Sequence, residues 1–271
     1  MQPKGSYVAS QIPIVVISLQ RSVDRRAYMR EHLGRLGLDF EFFDAIDGRA
    51  LTQEERRYYE PTMAPGSVGC AESYRNVLHD IASGPHEFVC VLEDDASLHP
   101  AALDILDPVQ LRTFPRFDIL RLSSLVYRPR RRLMLPIATR DQFSVVAIYR
   151  PFVGSAGQIF SRAGAQKTLQ VFQPMMRAPF DIALFEEQFV LGLRVVETKP
   201  NLVTPMSFAS TIGYGLGPPH TVRSWIKNFR RRRRREWRNA VSFVMAWGLE
   251  LRKLRIGWPP SLDLSTTAPR E

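Results

Sequence analysis

The run Glu87-Phe-Val-Cys-Val-Leu-Glu-Asp-Asp95 constrains this chain more than any other stretch. Phe88, Val89, Val91 and Leu92 suit a strand buried on both faces, as in parallel sheets that carry helices on each side. The apolar run then ends in Glu93, Asp94 and Asp95. Packing gives no reason for three adjacent carboxylates, because clustered negative charges repel unless something positive neutralises them. In open α/β sheets the carboxyl end of a strand faces the ligand crevice. A divalent cation carrying a nucleotide diphosphate accounts for the cluster; a solvated acidic turn is the other reading.

Strand and helix signals alternate around this run. Ile12–Leu19 reads as a first buried strand, and Ser22 is placed to cap a helix that runs to Leu36 and stops at Gly37. Phe40–Ile46 reads as a second strand closed by the Asp47-Gly48 turn. Thr52 and Glu55 form a capping-box pattern before a short helix. A helix over Val68–Ala82, capped by Ser67, leads through Ser83-Gly84-Pro85 into the acidic strand. Beyond it come a helical Pro100–Arg112, a strand at Phe117–Leu122, and a basic loop at Tyr127–Arg132. A hairpin over Leu133–Val153 follows, then a helix capped by Ser161, a helix at Phe180–Leu191 and a last strand at Leu193–Glu197. Such alternation predicts an α/β fold.

Charge divides the chain unevenly. Residues 220–255 hold 12 Lys and Arg against 2 Asp and Glu, which equals the whole net charge of +10. The rest of the chain is balanced. Arg230–Arg235 is an unbroken arginine run, with Trp225, Ile226 and Phe229 before it and Trp237 after it. Trp237, Val241, Val244, Gly248 and Leu251 then follow helical spacing, over an apolar stretch well short of the ~20 residues that span a bilayer. The two cysteines, Cys70 and Cys90, suggest neither a disulfide framework nor a zinc site. The expected organisation is a disordered terminus at 1–12, a domain at 13–219, a basic amphipathic segment at 220–257 and a disordered tail at 258–271.

Five separated stretches, and a weaker sixth, resemble glycosyltransferase family 25, which includes bacterial lipooligosaccharide sugar transferases and collagen galactosyltransferases. They are Val16-Ile-Ser-Leu-Gln-Arg-Ser-Val-Asp-Arg-Arg26, Phe40-Glu-Phe-Phe-Asp-Ala-Ile-Asp-Gly-Arg49 and Gly69-Cys-Ala-Glu-Ser-Tyr74. Leu92-Glu-Asp-Asp-Ala96 is the fourth, and Gly154-Ser-Ala-Gly157 with Ser161-Arg-Ala-Gly-Ala165 the fifth. Asp181-Ile-Ala-Leu-Phe185 is the weaker one. The order and spacing are similar to the family's over roughly residues 13–212. Tyr74 departs from the pattern, since the family commonly has His there.

The resemblance implies a GT-A-like, Rossmann-related domain with a mixed, mainly parallel sheet flanked by helices. It also implies inverting transfer of a sugar, galactose from UDP-galactose, onto a lipooligosaccharide, lipopolysaccharide or related surface glycan. Mn²⁺ or Mg²⁺ would offset charge on the leaving diphosphate, and Asp and Glu oxygens suit such hard cations. Asp95 is the first candidate metal ligand and Glu93 the second, with Asp94 reaching ribose or a metal-bound water. Ser18, Arg21 and Arg25, at the start of the first helix, are candidates for the donor; a helix-start salt bridge involving Asp24 is the other reading. Asp44 is a further donor candidate, while Asp47 reads as turn chemistry. Asp181, with Glu187 as the alternative, is the candidate base for the acceptor hydroxyl; an acid complementing the helix dipole reads equally well. Ser73 and Asn76 are either sugar contacts or an ordinary helix face.

For the arginine run, docking on an anionic membrane surface fits better than nucleic-acid binding, because Trp and Phe beside basic residues suit the lipid interface. This predicts a cytoplasmic protein held on the inner face of the cytoplasmic membrane. The competing reading is a non-catalytic basic protein that binds membrane or nucleic acid on a degenerate transferase scaffold.

Overall fold

The computed structural model describes residues 11–124, 134–148, 153–187 and 192–206, together with 240, 241, 243–245, 247 and 248 of a helical stretch near the C-terminus. The loop at Tyr127–Arg132, the run Arg230–Arg235 with Trp225 and Trp237, and the tail at 258–271 lie outside the described residues.

β1 (Ile14–Ser18) is followed by α1 (Val23–Arg35), β2 (Glu41–Asp44), α2 (Gln53–Arg56), α3 (Pro65–Ser83) and β3 (Phe88–Glu93). Next come β4 (Ala96–Leu98), a 3-10 turn (Pro100–Ile105), α4 (Pro108–Arg112), β5 (Ile119–Arg121), β6 (Met134–Thr139) and β7 (Ser144–Ile148). β8 (Gly157–Ser161), α5 (Arg162–Thr168), a second 3-10 turn (Leu169–Phe172), α6 (Phe180–Glu187), β9 (Val195–Lys199) and β10 (Val203–Pro205) complete the elements.

The main sheet has the order β2-β1-β3-β8-β5-β9-β7-β6, and β4 pairs with β10 in a separate ribbon. β2, β1, β3, β5, β9 and β6 run one way, and β8 and β7 the other. The sheet is therefore mixed with one dominant direction, as expected. Insertion of the antiparallel β8 between β3 and β5 is not legible in the strand signals.

Alternate residues of each strand feed two cores. Ile14, Val16, Cys90, Leu92, Leu120 and Ile159 pack under Met29 and Leu33 of α1 and Ile105 of the 3-10 turn. Ile17, Val89, Val91, Ile119 and Phe160 pack under Val68, Tyr74 and Val77 of α3, with Ala165 of α5 and Leu184 of α6. Helices thus cover both faces, which is why β1 and β3 read as continuous apolar runs.

Local signals hold in part. Thr52 and Glu55 make the reciprocal capping box at α2. Ser161 caps α5 by accepting from the Gly164 N–H. Ser22 makes no side-chain cap bond to α1, and α3 begins three residues before the expected start because Pro65, lacking an N–H, fits its first turn. The expected helix at Pro100–Arg112 breaks in two, with Asp107 capping α4 and Pro108 opening it.

Two corrections concern the ends. Gln11 and Ile12, expected in the disordered terminus, are packed on the domain: Ile12 is buried, its N–H donates to the Leu106 carbonyl at 2.9 Å, and Gln11 reaches the Asp39 carbonyl at 2.6 Å. Near the C-terminus, Phe243 and Trp247 are buried in the first core, and the Arg194 guanidinium lies over the Trp247 ring. Part of the segment expected to be separate from the domain is thus packed onto it. Val241 and Val244, assigned above to the apolar stripe, face outward with Met245. Among the described residues no helix is long and apolar enough to cross a membrane.

Candidate active site

The carboxyl ends of β1 and β3, the turn after β2 and the 153–156 loop enclose a cavity of about 240 Å³. Its floor is the acidic triplet, and the three carboxylates have three different settings.

Asp94 is held by the protein itself. The Ser18 hydroxyl donates to its Oδ2 at 2.8 Å and Arg25 to its Oδ1 at 2.6 Å. Glu93 turns the other way, toward α3, and its Oε1 accepts the Ser155 hydroxyl. The parting of these neighbours follows from the alternation of an extended chain. Burial, with the charge of Asp95 nearby and smaller effects of Asp181 and Asp94, pushes the Glu93 carboxyl up to about 7 against the Ser155 bond. Asp95 differs from both. Its Oδ1 is buried without a hydrogen-bond partner among the described residues, and its Oδ2 lies 3.8 Å from Arg25 Nη1. Burial raises its carboxyl too, with Arg25 opposing and Asp94 adding to the rise.

The far wall comes from α3 and α6. Tyr74 stacks on Phe180 with ring centroids 4.2 Å apart, and its hydroxyl donates to the Ser155 carbonyl at 2.8 Å. Burial first, then Glu93, holds the Tyr74 phenol well above its ordinary value, so it stays a protonated donor. Asp181 opens α6 and lines the cavity. Its Oδ2 accepts the Gly154 N–H and its Oδ1 the Ile182 N–H, both at 2.9 Å. Each oxygen keeps acceptor capacity beyond these bonds.

Arg21, Asp47 and Arg49 form the rim. Arg21 bonds Asp47 and holds its carboxyl below the ordinary range. Asp44 is exposed, is bound by Arg26 and Gln20, and is absent from the cavity lining. Ser73 is fully buried; it donates to the Gly69 carbonyl and accepts the Ile46 N–H, so it braces α3 against the β2 turn. Asn76 bonds the Glu72 carbonyl within the helix. Glu187 is the last residue of α6, and its side chain lies outside the described residues.

The structure thus brings Ser18, Arg21, Arg25, Glu93, Asp94, Asp95 and Asp181 around one cavity. Sequence reasoning missed Ser155, the direct partner of Glu93, and the buried Arg121 and Glu197 behind it. The available signal for Arg121 was a charge inside a strand pattern, since a charge buried there needs a partner.

The donor set fits a divalent cation. Among the described residues no three His, Cys, Asp or Glu side chains are arranged as a closed metal site. A cation that arrives with phosphate oxygens needs only one or two protein carboxylates. The orphaned Asp95 Oδ1 offers a ligand atom, with Glu93 next to it.

Fold and site together define an α/β protein whose crevice has an acidic floor and a basic rim. Residues 11–184 match the model of glycosyltransferase family 25 (LPS biosynthesis protein). The chain belongs to that family. It is 33% identical to an Aedes aegypti glycosyltransferase 25 family member over 36% of this chain and 18% of that protein. With Xenopus laevis procollagen galactosyltransferase 1-B it shares 25% identity over 74% of this chain and 37% of that protein. A putative glycosyltransferase of Haemophilus influenzae is 24% identical over 62% of this chain and 60% of its own length. The chain therefore spans less than two thirds of each of these relatives. Among solved structures, a Drosophila beta-1,4-galactosyltransferase 7 complex with manganese, UDP-Gal and xylobiose aligns over 80% of this chain and 79% of that one. Its identity is 8% and its TM-score 0.42.

Proposed function

We propose that this chain is a metal-dependent glycosyltransferase that moves galactose from UDP-galactose, with inversion, onto a lipooligosaccharide, lipopolysaccharide or related surface glycan. The observation that carries this reading is the buried, unpartnered Asp95 Oδ1 at the floor of a cavity rimmed by arginine. The names of the galactosyltransferase relatives support the sugar, and the family description supports the acceptor.

In this reading Asp95, with Glu93 beside it, holds Mn²⁺ or Mg²⁺, which offsets charge on the diphosphate when bound. Arg21 and Arg25 face the same phosphates as fixed cations. Ser18 and Arg25 keep Asp94 in place to receive the ribose. Asp181, fixed by two backbone N–H groups, takes the proton from the acceptor hydroxyl as that oxygen bonds to the sugar carbon and the bond to the diphosphate breaks.

The outward Val241, Val244 and Met245, with the arginine-rich sequence before them, support docking on the anionic inner face of the cytoplasmic membrane. Replacing Arg230–Arg235 with glutamine, which leaves Phe243 and Trp247 in the core, should then abolish binding to anionic vesicles, and retained binding would refute the docking.

Donor hydrolysis is the primary test. Wild type should hydrolyse UDP-galactose with Mn²⁺, and chelator or Asp95→Ala should abolish the turnover. Absence of UDP binding by the wild type would overturn the enzyme reading and leave the non-catalytic one.

A further inference from the structure

A strand in the middle of a covered sheet has no water to offer a charge. Yet β5 ends in Arg121, and the neighbouring β9 sets Glu197 beside it. Their side chains are 0% and 2% exposed and form an ion pair. Desolvation of two charges offsets most of their attraction, so apolar side chains of similar volume would serve stability as well. Another reason is needed for the pair, and the second hydrogen bond of Arg121 provides it. Its Nη2 donates to the Gly154 carbonyl at 2.8 Å, while the guanidinium lies over the Phe185 ring, 3.9 Å from the centroid.

Gly154 has φ 110°, a conformation that a side chain would strain. Its N–H is bound by Asp181 and its carbonyl by Arg121. Charged side chains from two elements therefore grip the two peptide groups that flank one residue. The next residue, Ser155, bonds Glu93 through its hydroxyl, and the Ala156 carbonyl accepts the Glu93 N–H at 3.0 Å. A shift of the loop at Gly154 and Ser155 would therefore move the groups that hold both Asp181 and Glu93. Arg121 does not line the cavity; its contacts reach the site through the Gly154 carbonyl and through Phe185 of α6.

We propose that Arg121, braced by Glu197, is a positioning residue that sets the Gly154–Ala156 loop and, through it, the Asp181 and Glu93 carboxylates. The kinetic consequence rests on the transferase reading; the structural consequence does not.

Two variants of the full chain separate these. Arg121→Met/Glu197→Leu removes the two fully buried charges together and leaves only the part-exposed Lys199, 3.0 Å from Glu197, to turn to solvent. Arg121→Lys keeps a charge beside Glu197 but loses the planar fork that reaches two acceptors. The double variant should still unfold cooperatively, while amide hydrogen exchange at residues 154–157 rises ~10-fold or more. With Mn²⁺ and UDP-galactose, its kcat should fall ~10- to 100-fold, as expected for a small misplacement of reacting groups. Donor KM should change less than kcat, because Arg21, Arg25 and Asp95 are untouched. Arg121→Lys should remain slow. Unchanged exchange at 154–157, near-wild-type kcat in the double variant, or full rescue by lysine would each overturn the proposal. If the wild type shows no donor turnover, the transferase reading fails and hydrogen exchange alone decides the clamp.

Discussion

Gly69 meets Gly48 backbone to backbone. A Cβ on Gly69 would lie 2.4 Å from the Ile46 carbonyl oxygen and 2.5 Å from the Gly48 nitrogen; one on Gly48 would lie 1.8 Å from the Pro65 carbonyl oxygen. Neither glycine has a positive φ. Close approach, rather than backbone freedom, is what requires them. The contact presses the first turns of α3 onto the turn that carries Asp47, and so shapes one cavity wall. Gly69→Ala should cost about 2 kcal/mol, as overpacking does, and weaken UDP binding. Urea unfolding and calorimetric titration measure the two effects.

Arg25 is the hinge of the acidic floor, with its side chain 13% exposed beside an Asp94 side chain 11% exposed. Arg25→Met leaves Asp94 without its main counter-charge. The loss should be about 3 kcal/mol, at the low end for breaking a buried pair. Asp94→Asn should be milder, because Arg25 keeps the Asp95 carboxylate 3.8 Å away. A denaturant series on both variants checks the order; equal losses would contradict it.

Glu93 makes metal-free stability depend on pH. Folding raises its carboxyl from 4.5 to about 7. This group's contribution is therefore full below the unfolded value and is lost as pH rises through the folded one. Glu93→Gln should flatten that loss and raise metal-free stability at about pH 8, by on the order of 1–3 kcal/mol, while weakening UDP binding with Mn²⁺. Thermal unfolding of both proteins across that range would show it.

His32 acts with the opposite sign. Its Nε2 accepts the Leu98 N–H at 2.8 Å, which requires the neutral ring, and burial with Arg35 lowers it from 6.5. Its contribution is present above the unfolded value and is lost as pH falls through the lowered folded value. His32→Gln should remove this acid-side slope and cost about 1 kcal/mol at neutral pH. Unfolding curves at successive pH values separate it from Glu93, and a slope unchanged in the variant would exclude the assignment.

The family stretches were legible as sequence, but several of them are packing rather than chemistry. Gly48 and Gly69 stand where two backbones touch, and the Ser73 hydroxyl braces the same contact through the Ile46 N–H. Tyr74, in the place of a family histidine, holds the Ser155 carbonyl and stacks on Phe180. That explains how the position tolerates a residue unable to serve as an imidazole base.

By itself the sequence determined the strands and helices around the acidic run, because apolar period and turn residues act over a few neighbours. It also marked Glu93, Asp94 and Asp95 as charges in need of a partner. Only the tertiary structure decided which partner each carboxylate has: Ser18 and Arg25 for Asp94, Ser155 for Glu93, and, among the described residues, none for Asp95 Oδ1. It likewise put Phe243 and Trp247, rather than Val241 and Val244, against the core. Spacing reports which residues share a helix face; what covers that face is set by elements far away in the chain. The same holds for charge: β5, β9 and the 154–156 loop meet only in the folded sheet, and the Arg121 clamp exists only there.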